Sequence, residues 1–254
     1  MTALAEAPGS GYQLRVDALG TLPVSIVMAP QQSVISLLHQ AASGQPRGAP
    51  VGLLASICRA LRPQARFAAQ PFTIRGPVAV PDFCAPIPPL TDTSVAEQAR
   101  RLRDMDADVL TEELQTAEGC DCFPPGWQIA AHQPRRWLNS VADLSLDIWA
   151  VIEPRWRAAG PLFDREVRRV GTAAVRGGMG ALLNSLHPRI SYTDGTLALA
   201  HPCNRCVPLG RRRLALLPMI AGRDLPPSSA GRGRPGHPRA ARVKRPGQPH
   251  RPRR

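Results

Sequence analysis

The clearest pattern of apolar and polar positions runs from residue 144 to residue 190. Apolar side chains recur there at steps of three and four residues, which places them on one side of a helix. Arginines and carboxylates stand between them and belong on the solvent side. We therefore predict a core helix around which the rest of the chain is organised. Its apolar stripe comprises Trp149, Ile152, Trp156, Ala159, Phe163, Val167, Val170 and Ala174.

Proline and glycine divide this stretch. Pro154 predicts a kink, because proline removes an amide donor and crowds the preceding turn. The pair Gly160-Pro161 predicts a break, after which Pro161 opens a second helix at its first position. Gly177-Gly178 is expected to end that second helix.

Weaker patterns predict the elements on the N-terminal side. Residues 12–17 and 22–28 have the composition of two strands with Gly20 in the turn. Residues 62–89 are rich in proline and poor in periodicity, so we expect an extended segment. Helices are predicted from Pro30, over residues 51–61, from a capping box at Ser94 to about residue 117, and over residues 134–139.

The C-terminal part of the body has the pattern of a small sheet. Residues 189–192 and 196–200 flank Asp194-Gly195, a strong signal for a tight hairpin. Residues 213–220 form a third candidate strand, which we expect to pair into the same sheet. The predicted fold class is α+β, with a mostly helical body and small antiparallel β elements.

The composition changes sharply after residue 221. Residues 222–254 contain nine arginines, one lysine and one aspartate, so nine of the thirteen net positive charges lie there. This segment has almost no large apolar residue and should be disordered. We expect residues 1–11 to be disordered and residues 12–221 to fold as one domain.

A basic tail of this kind attracts polyanions. Its charges would give weak, salt-dependent, sequence-independent binding to DNA or RNA, and it has no aromatic residue for stacking on bases. The alternative is that the tail has no selected role. The candidate phosphate contacts are Arg232, Arg234, Arg239, Arg242, Lys244, Arg245, Arg251, Arg253 and Arg254.

Two cysteine pairs allow a metal hypothesis. Cys203 and Cys206 have half of the spacing of a zinc site, and Cys120 and Cys122 could supply a second pair. The pairs lie about 80 residues apart with no second C-x-x-C motif, so free thiols are the simpler interpretation. Zinc is therefore an alternative, and no cofactor is predicted.

Several function classes are not supported by any motif. We find no phosphate-binding loop, nucleophile elbow or H-E-x-x-H pattern, so no enzyme is predicted. The first ten residues lack a basic start followed by an apolar run, and no stretch of 18 apolar residues occurs. We expect a cytoplasmic protein that does not enter the membrane.

The stretch WAVIEPRWRAAGPLFDREVRRVGTAAVRGGMGALLNSLHPRI resembles the long N-terminal region of ArsR-like winged-helix transcriptional regulators from high-GC bacteria. Residues 22–38, 95–110, 134–138 and 207–222 also match, so the resemblance covers most of residues 20–222. It is most specific from Trp156 to Arg176.

The resemblance implies a sensing and dimerisation region for an unknown effector, followed in the family by a winged helix that binds operator DNA, usually as a homodimer. Here the sequence instead continues into the basic tail. No helix–turn–helix pattern follows Gly222, which suggests a truncated or frameshifted copy. Metal-sensing members carry a Cys-x-Cys on the recognition helix. Turn residues surround Cys120 and Cys122 here, so that role is not carried over.

Overall fold

The computed structural model describes residues 12–63, 65–75, 80–86, 93–117, 125–199, 205–210 and 212–220. The described part is an α+β fold, as predicted. Residues 1–11 and 222–254, which are predicted to be disordered, lie outside the described residues. The helices are α1 Pro30–Ser43, α2 Val51–Ala60, α3 Ala65–Ala69, α4 Val95–Asp104, α5 Ala107–Ala117, α6 Gln128–His132, α7 Pro134–Ala158, α8 Gly160–Val175 and α9 Met179–Leu186. The strands are β1 Tyr12–Arg15, β2 Val24–Ile26, β3 Ile190–Thr193, β4 Thr196–Leu199, β5 Arg205–Pro208 and β6 Leu214–Leu216.

Helix α7 is the centre of the helical body, because each of α1 to α6 packs against it. It begins at Pro134, whose missing amide donor costs nothing at the first helical position. Its buried residues follow at helical spacing: Trp137, Leu138, Val141, Ala142, Leu144, Ser145, Ile148 and Ile152. The core helix therefore starts well before residue 144. The helix predicted over residues 134–139 is present, but it is the first part of α7 and not a separate helix.

The chain continues as one helix through Pro154 to Ala158. Pro154 has no amide hydrogen, so the carbonyl of Ala150 has no donor within the helix. Both residues are exposed, so water can reach that carbonyl. The predicted break is present: Ala159 separates α7 from α8, and Pro161 lies in the first turn of α8. Gly177 then adopts a positive φ of 71° just after the helix ends.

The predicted apolar stripe is buried only in part. Ile152, Phe163 and Val170 are buried, whereas Trp149 and Trp156 are half-buried. Val167 is 41% exposed and Ala174 is also exposed. Helix α8 packs mainly on α9 and the end of α7, so much of its surface faces solvent.

The strands form two small sheets, of which the first is mixed and the second is parallel. In the first, the order is β3-β4-β1-β5, with β1 antiparallel to β4 and parallel to β5. In the second, β2 pairs parallel with β6. The hairpin is confirmed, with Asp194 and Gly195 at φ of 48° and 73° in its turn.

Three predictions about the strands are wrong. β1 and β2 do not pair with each other, β6 does not join the hairpin sheet, and not all pairing is antiparallel. The cause is packing: Tyr12 and Leu14 of β1 pack with Leu197 and Leu183, whereas Val24 and the rest of β2 pack near α8 and α9. Local turn signals predict hairpins well but carry no information about such distant pairing.

The segment predicted to be extended over residues 62–89 contains helix α3 and a short 3-10 helix, Gln70–Phe72. The helix predicted from Ser94 is two helices, since the chain turns at Met105. Its predicted cap is present: Ser94 Oγ accepts from the Glu97 amide at 3.1 Å. In the described part of the chain, no helix combines the length and apolarity needed to cross a membrane.

The central position of α7 makes Trp137 a strong test of the fold. We expect Trp137→Ala to lower the free energy of unfolding by about 3–5 kcal/mol, because Trp137 is fully buried. Chemical denaturation measures this loss. The matched variant Trp156→Ala removes a half-buried indole and should cost clearly less. Equal losses would contradict the assignment of the core to the first half of α7.

Candidate functional site

Helix α1 carries an unusual number of polar side chains into the interior. Its buried polar residues are Gln31, Gln32, Ser33, Ser36, His39, Gln40 and Ser43. A buried polar group destabilises the fold unless it finds a hydrogen-bond partner. The partners of these residues therefore show which neighbouring segments α1 holds in place.

Two of the α1 glutamines hold a turn that spans residues 82–85. Gln31 Nε2 donates to the carbonyl of Cys84 at 3.2 Å and to Ser145 Oγ of α7 at 3.1 Å. Gln32 Nε2 donates to the carbonyl of Ala85. The turn lacks the regular partners of a helix or strand, so these side chains satisfy its buried carbonyls.

Helices α4 and α5 hold the same turn from the other direction. Gln98 Nε2 donates to the carbonyl of Phe83 at 3.5 Å, a long bond. The Glu113 carboxylate accepts from the amide of Asp82 at 2.6 Å and also from the Phe83 amide. We call the turn and these side chains, Gln31, Gln32, Gln98 and Glu113, the polar clasp.

Glu113 is the member of the clasp whose charge depends on pH. Burial is the main cause that raises the pKa of its carboxyl to about 7. The Asp82 and Phe83 amides that donate to it lower the pKa, and the Asp82 carboxylate raises it. The carboxyl therefore changes charge near neutral pH.

Cys84 lies at the centre of the clasp and is fully buried. Burial raises the pKa of its thiol well above the ordinary value, and the Glu113 and Asp82 carboxylates act in the same direction. The sulfur therefore stays protonated and is a poor nucleophile. Elsewhere on α1, His39 Nε2 donates to the carbonyl of Ile74 at 3.1 Å, and burial lowers the pKa of its ring.

Four aromatic rings connect the clasp to the core. Phe83 packs edge-on against Trp127 and Trp137, with centroid distances of 6.3 and 5.8 Å. Trp127 and Trp137 are 5.4 Å apart, and Phe72 lies 5.4 Å from Trp127. Such edge-to-face pairs add to the stability gained from burial alone. A displaced turn would therefore disturb the central helix.

The residues proposed from sequence as metal or phosphate contacts are mostly outside the described residues. This holds for Cys120, Cys122, Cys203 and the whole basic tail. Cys206 is exposed on β5, opposite Gln13 of β1. Among the residues the structure describes, no three His, Cys, Asp or Glu side chains are grouped to hold a metal ion. The zinc site and the tail contacts stay predictions.

Sequence reasoning missed the polar clasp. The run Pro-Gln-Gln-Ser at the start of α1 has the composition of a solvated helix face, and Gln98 and Glu113 lie in charged helices. The only local signal is that α1 has no charged residue in its first three turns apart from the ionisable His39. Comparison of the chain with family models, curated proteins and solved structures gave no match.

The raised pKa of Glu113 predicts a pH-dependent stability. An unfolded chain releases this proton near pH 4.5, whereas the folded chain keeps it until about pH 7. The contribution of Glu113 is therefore complete below pH 4.5 and is lost as the pH rises through 7. Denaturation from pH 4 to 9 should show this decline, and Glu113→Gln should flatten it. The control Glu112→Gln changes an exposed neighbour and should keep the decline. A decline that persists unchanged in Glu113→Gln would contradict this assignment.

The clasp also predicts which thiols react. Cys58 and Cys206 are exposed and should be alkylated by iodoacetamide in the native protein, whereas Cys84 should react only when the clasp opens. Gln31→Ala leaves a buried carbonyl without its donor, which costs about 1–3 kcal/mol and should speed labelling at Cys84.

Peptide mass mapping measures labelling at each cysteine separately. The matched variant Gln115→Ala removes an exposed glutamine from α5 and should leave the rate at Cys84 unchanged. Native labelling of Cys84 as fast as that of Cys58 would show that the turn is not held closed.

Proposed function

We propose that this chain is the sensing and dimerisation body of a cytoplasmic transcriptional regulator of the ArsR-like winged-helix type. Its DNA-reading module would be encoded after residue 221 in a shifted reading frame. In this proposal the body responds to an effector and pairs with a second copy, and operator DNA is contacted by the separate module.

The observation that carries the proposal is the exposure of α8. The resemblance is most specific from Trp156 to Arg176, and these residues form the end of α7 and all of α8. One side of α8 is apolar and partly uncovered, and another presents arginines. A helix of this kind is suited to contacts with another macromolecule, because uncovered apolar surface bordered by charge is typical of interaction sites.

The polar clasp is a suitable element for a response. It joins α1, α4 and α5 to the central helix through one turn, and its members are held by hydrogen bonds rather than by apolar packing alone. A ligand that competes for those hydrogen bonds would shift the position of α7. Because α7 leads directly into α8, such a shift would reach the exposed helix.

The reading frame after the Ala221 codon provides the first test. The proposal predicts that one shifted frame encodes a winged helix. A protein joining residues 1–221 to that translation should protect specific promoter DNA in a footprinting assay. The chain with its basic tail should bind duplex DNA only without sequence preference, and deletion of residues 223–254 should remove its salt dependence.

Two results would contradict the proposal. One is the absence of a winged helix from all three frames. The other is sequence-specific protection of promoter DNA by residues 1–221 alone, since operator contacts would then belong to the body.

A further inference from the structure

Residues 217–220 cross from the small parallel sheet to the helical body. They follow β6, which is held to β2 by strand pairing and by a bond of 3.1 Å from the Val27 amide to the Leu216 carbonyl. At the other end, the amide of Ile220 donates to Ser33 Oγ of α1 at 3.3 Å. We call residues 217–220 the strap.

The two ends of the strap are attached to different apolar clusters. Leu216, just before the strap, packs with Met179 and Leu182 of α9. Ile220 packs instead against the main core, to which α1 and α7 contribute. Ser33 is fully buried, and an amide withdrawn from water needs an acceptor such as its hydroxyl. The Ser33 hydroxyl therefore fixes the end of the strap on α1.

The first turn of α1 also carries two members of the polar clasp. Gln31 donates to the carbonyl of Cys84, and Gln32 donates to the carbonyl of Ala85. Ser33 is the next residue. Three consecutive side chains of one helical turn therefore join the turn at residues 82–85 to the strap.

This first turn has little local support of its own. Ala29 is the N-cap residue, and among the described residues no side chain caps the helix there. Alanine provides no oxygen for the free amides at a helix start, and Pro30 fits the first position without adding an acceptor. The position of the turn therefore depends on the distant partners of Gln31, Gln32 and Ser33. Loss of those partners would loosen it.

We propose that the strap is a conformational switch controlled by the polar clasp. When the turn at residues 82–85 leaves the clasp, the first turn of α1 loosens, Ser33 releases the Ile220 amide, and the strap detaches from the helical body. The coupling itself depends only on contacts within the body. Its role as the output of the sensing body rests on the proposed function, in which the DNA-reading module follows the strap.

Releasing the strap should open the clasp, because coupling between two sites acts in both directions. Ser33→Ala removes the acceptor of the Ile220 amide, and alanine is a better helix former than serine. We expect this variant to speed native labelling of Cys84 by iodoacetamide about fivefold or more. Peptide mass mapping of the full chain measures the rate.

The matched control is Ser36→Ala, the same substitution at another buried serine of α1. Ser36 Oγ accepts from Gln40 Nε2 at 3.3 Å, within the helix and outside the clasp. This variant should leave the labelling rate of Cys84 unchanged. Equal acceleration in both variants would overturn the switch, as would an unchanged rate in Ser33→Ala.

Opening the clasp from α5 should release the strap. Glu113→Ala removes the acceptor of the Asp82 amide, and we expect the Ile220 amide to exchange with deuterium about fivefold faster or more. Nuclear magnetic resonance follows this amide separately. In a Ser33→Ala background the same change should add nothing, because the strap is already free. An equal acceleration in both backgrounds would show that clasp and strap are independent.

Two references separate local release from general loss of stability. Amides of Leu144 and Ile148 in α7 should accelerate less than that of Ile220 in Glu113→Ala, since global opening affects all three equally. Glu112→Ala changes an exposed neighbour and should leave Ile220 unchanged. The same acceleration at Leu144 and Ile220 would overturn the switch.

Failure of this coupling is distinguishable from failure of the proposed function. Independent behaviour of clasp and strap leaves the shifted reading frame and its winged helix untouched. Absence of a winged helix from every frame leaves the coupling measured in the body untouched.

Discussion

The burial of one side of helix α7 is the constraint on which the rest of the helical body depends. Six shorter helices, α1 to α6, each contact α7, and α3 and α4 do so most extensively. Trp137 is fully buried at this junction, and its ring centroid lies within 6 Å of those of Trp127 and Phe83. Burying these rings adds to the stability that the aliphatic core provides, and the outer helices pack around the same helix.

The same packing buries backbone groups that need hydrogen-bond partners, and the polar clasp provides those partners. Between α3 and α4, the described residues 82–85 form a turn in which Phe83, Cys84 and Ala85 are buried. Glutamine side chains from α1 and α4 replace the missing backbone partners for carbonyls, and Glu113 does so for amides. Of these side chains, the Glu113 carboxylate is the least favourable one to bury, because burial opposes its charge. The interior is thus held partly by hydrogen bonds that a change of pH alters.

Local signals predicted the features that depend on local chemistry. The Ser94 cap, the break before Pro161 and the Asp194-Gly195 turn each require a particular residue at a particular backbone position, so the sequence indicated them correctly. Periodicity also found the right helical region. It could not tell which part of the stripe is covered, because Val167 has the same spacing whether it meets its own chain or another molecule.

Features that depend on distant contacts were not predictable in this way. The parallel pairing of β1 with β5 joins residues about 190 positions apart, and no turn motif encodes it. The burial of Gln31 and Gln98 depends on a turn whose own sequence is unremarkable in composition, so these residues have the pattern of a surface. The polar clasp, which is the most specific arrangement in the described body, was therefore visible only in three dimensions.

The central claim is that α7 is the buried axis of the body, whereas α8 leaves much of its surface exposed among the described residues. Hydrogen–deuterium exchange of the full chain tests it most directly. The account predicts that amides from Trp137 to Ile152 exchange slowest. Amides around Val167 and Gly171 should exchange clearly faster, because this part of α8 is exposed. Slow exchange in α8, or fast exchange between Trp137 and Ile152, would contradict it.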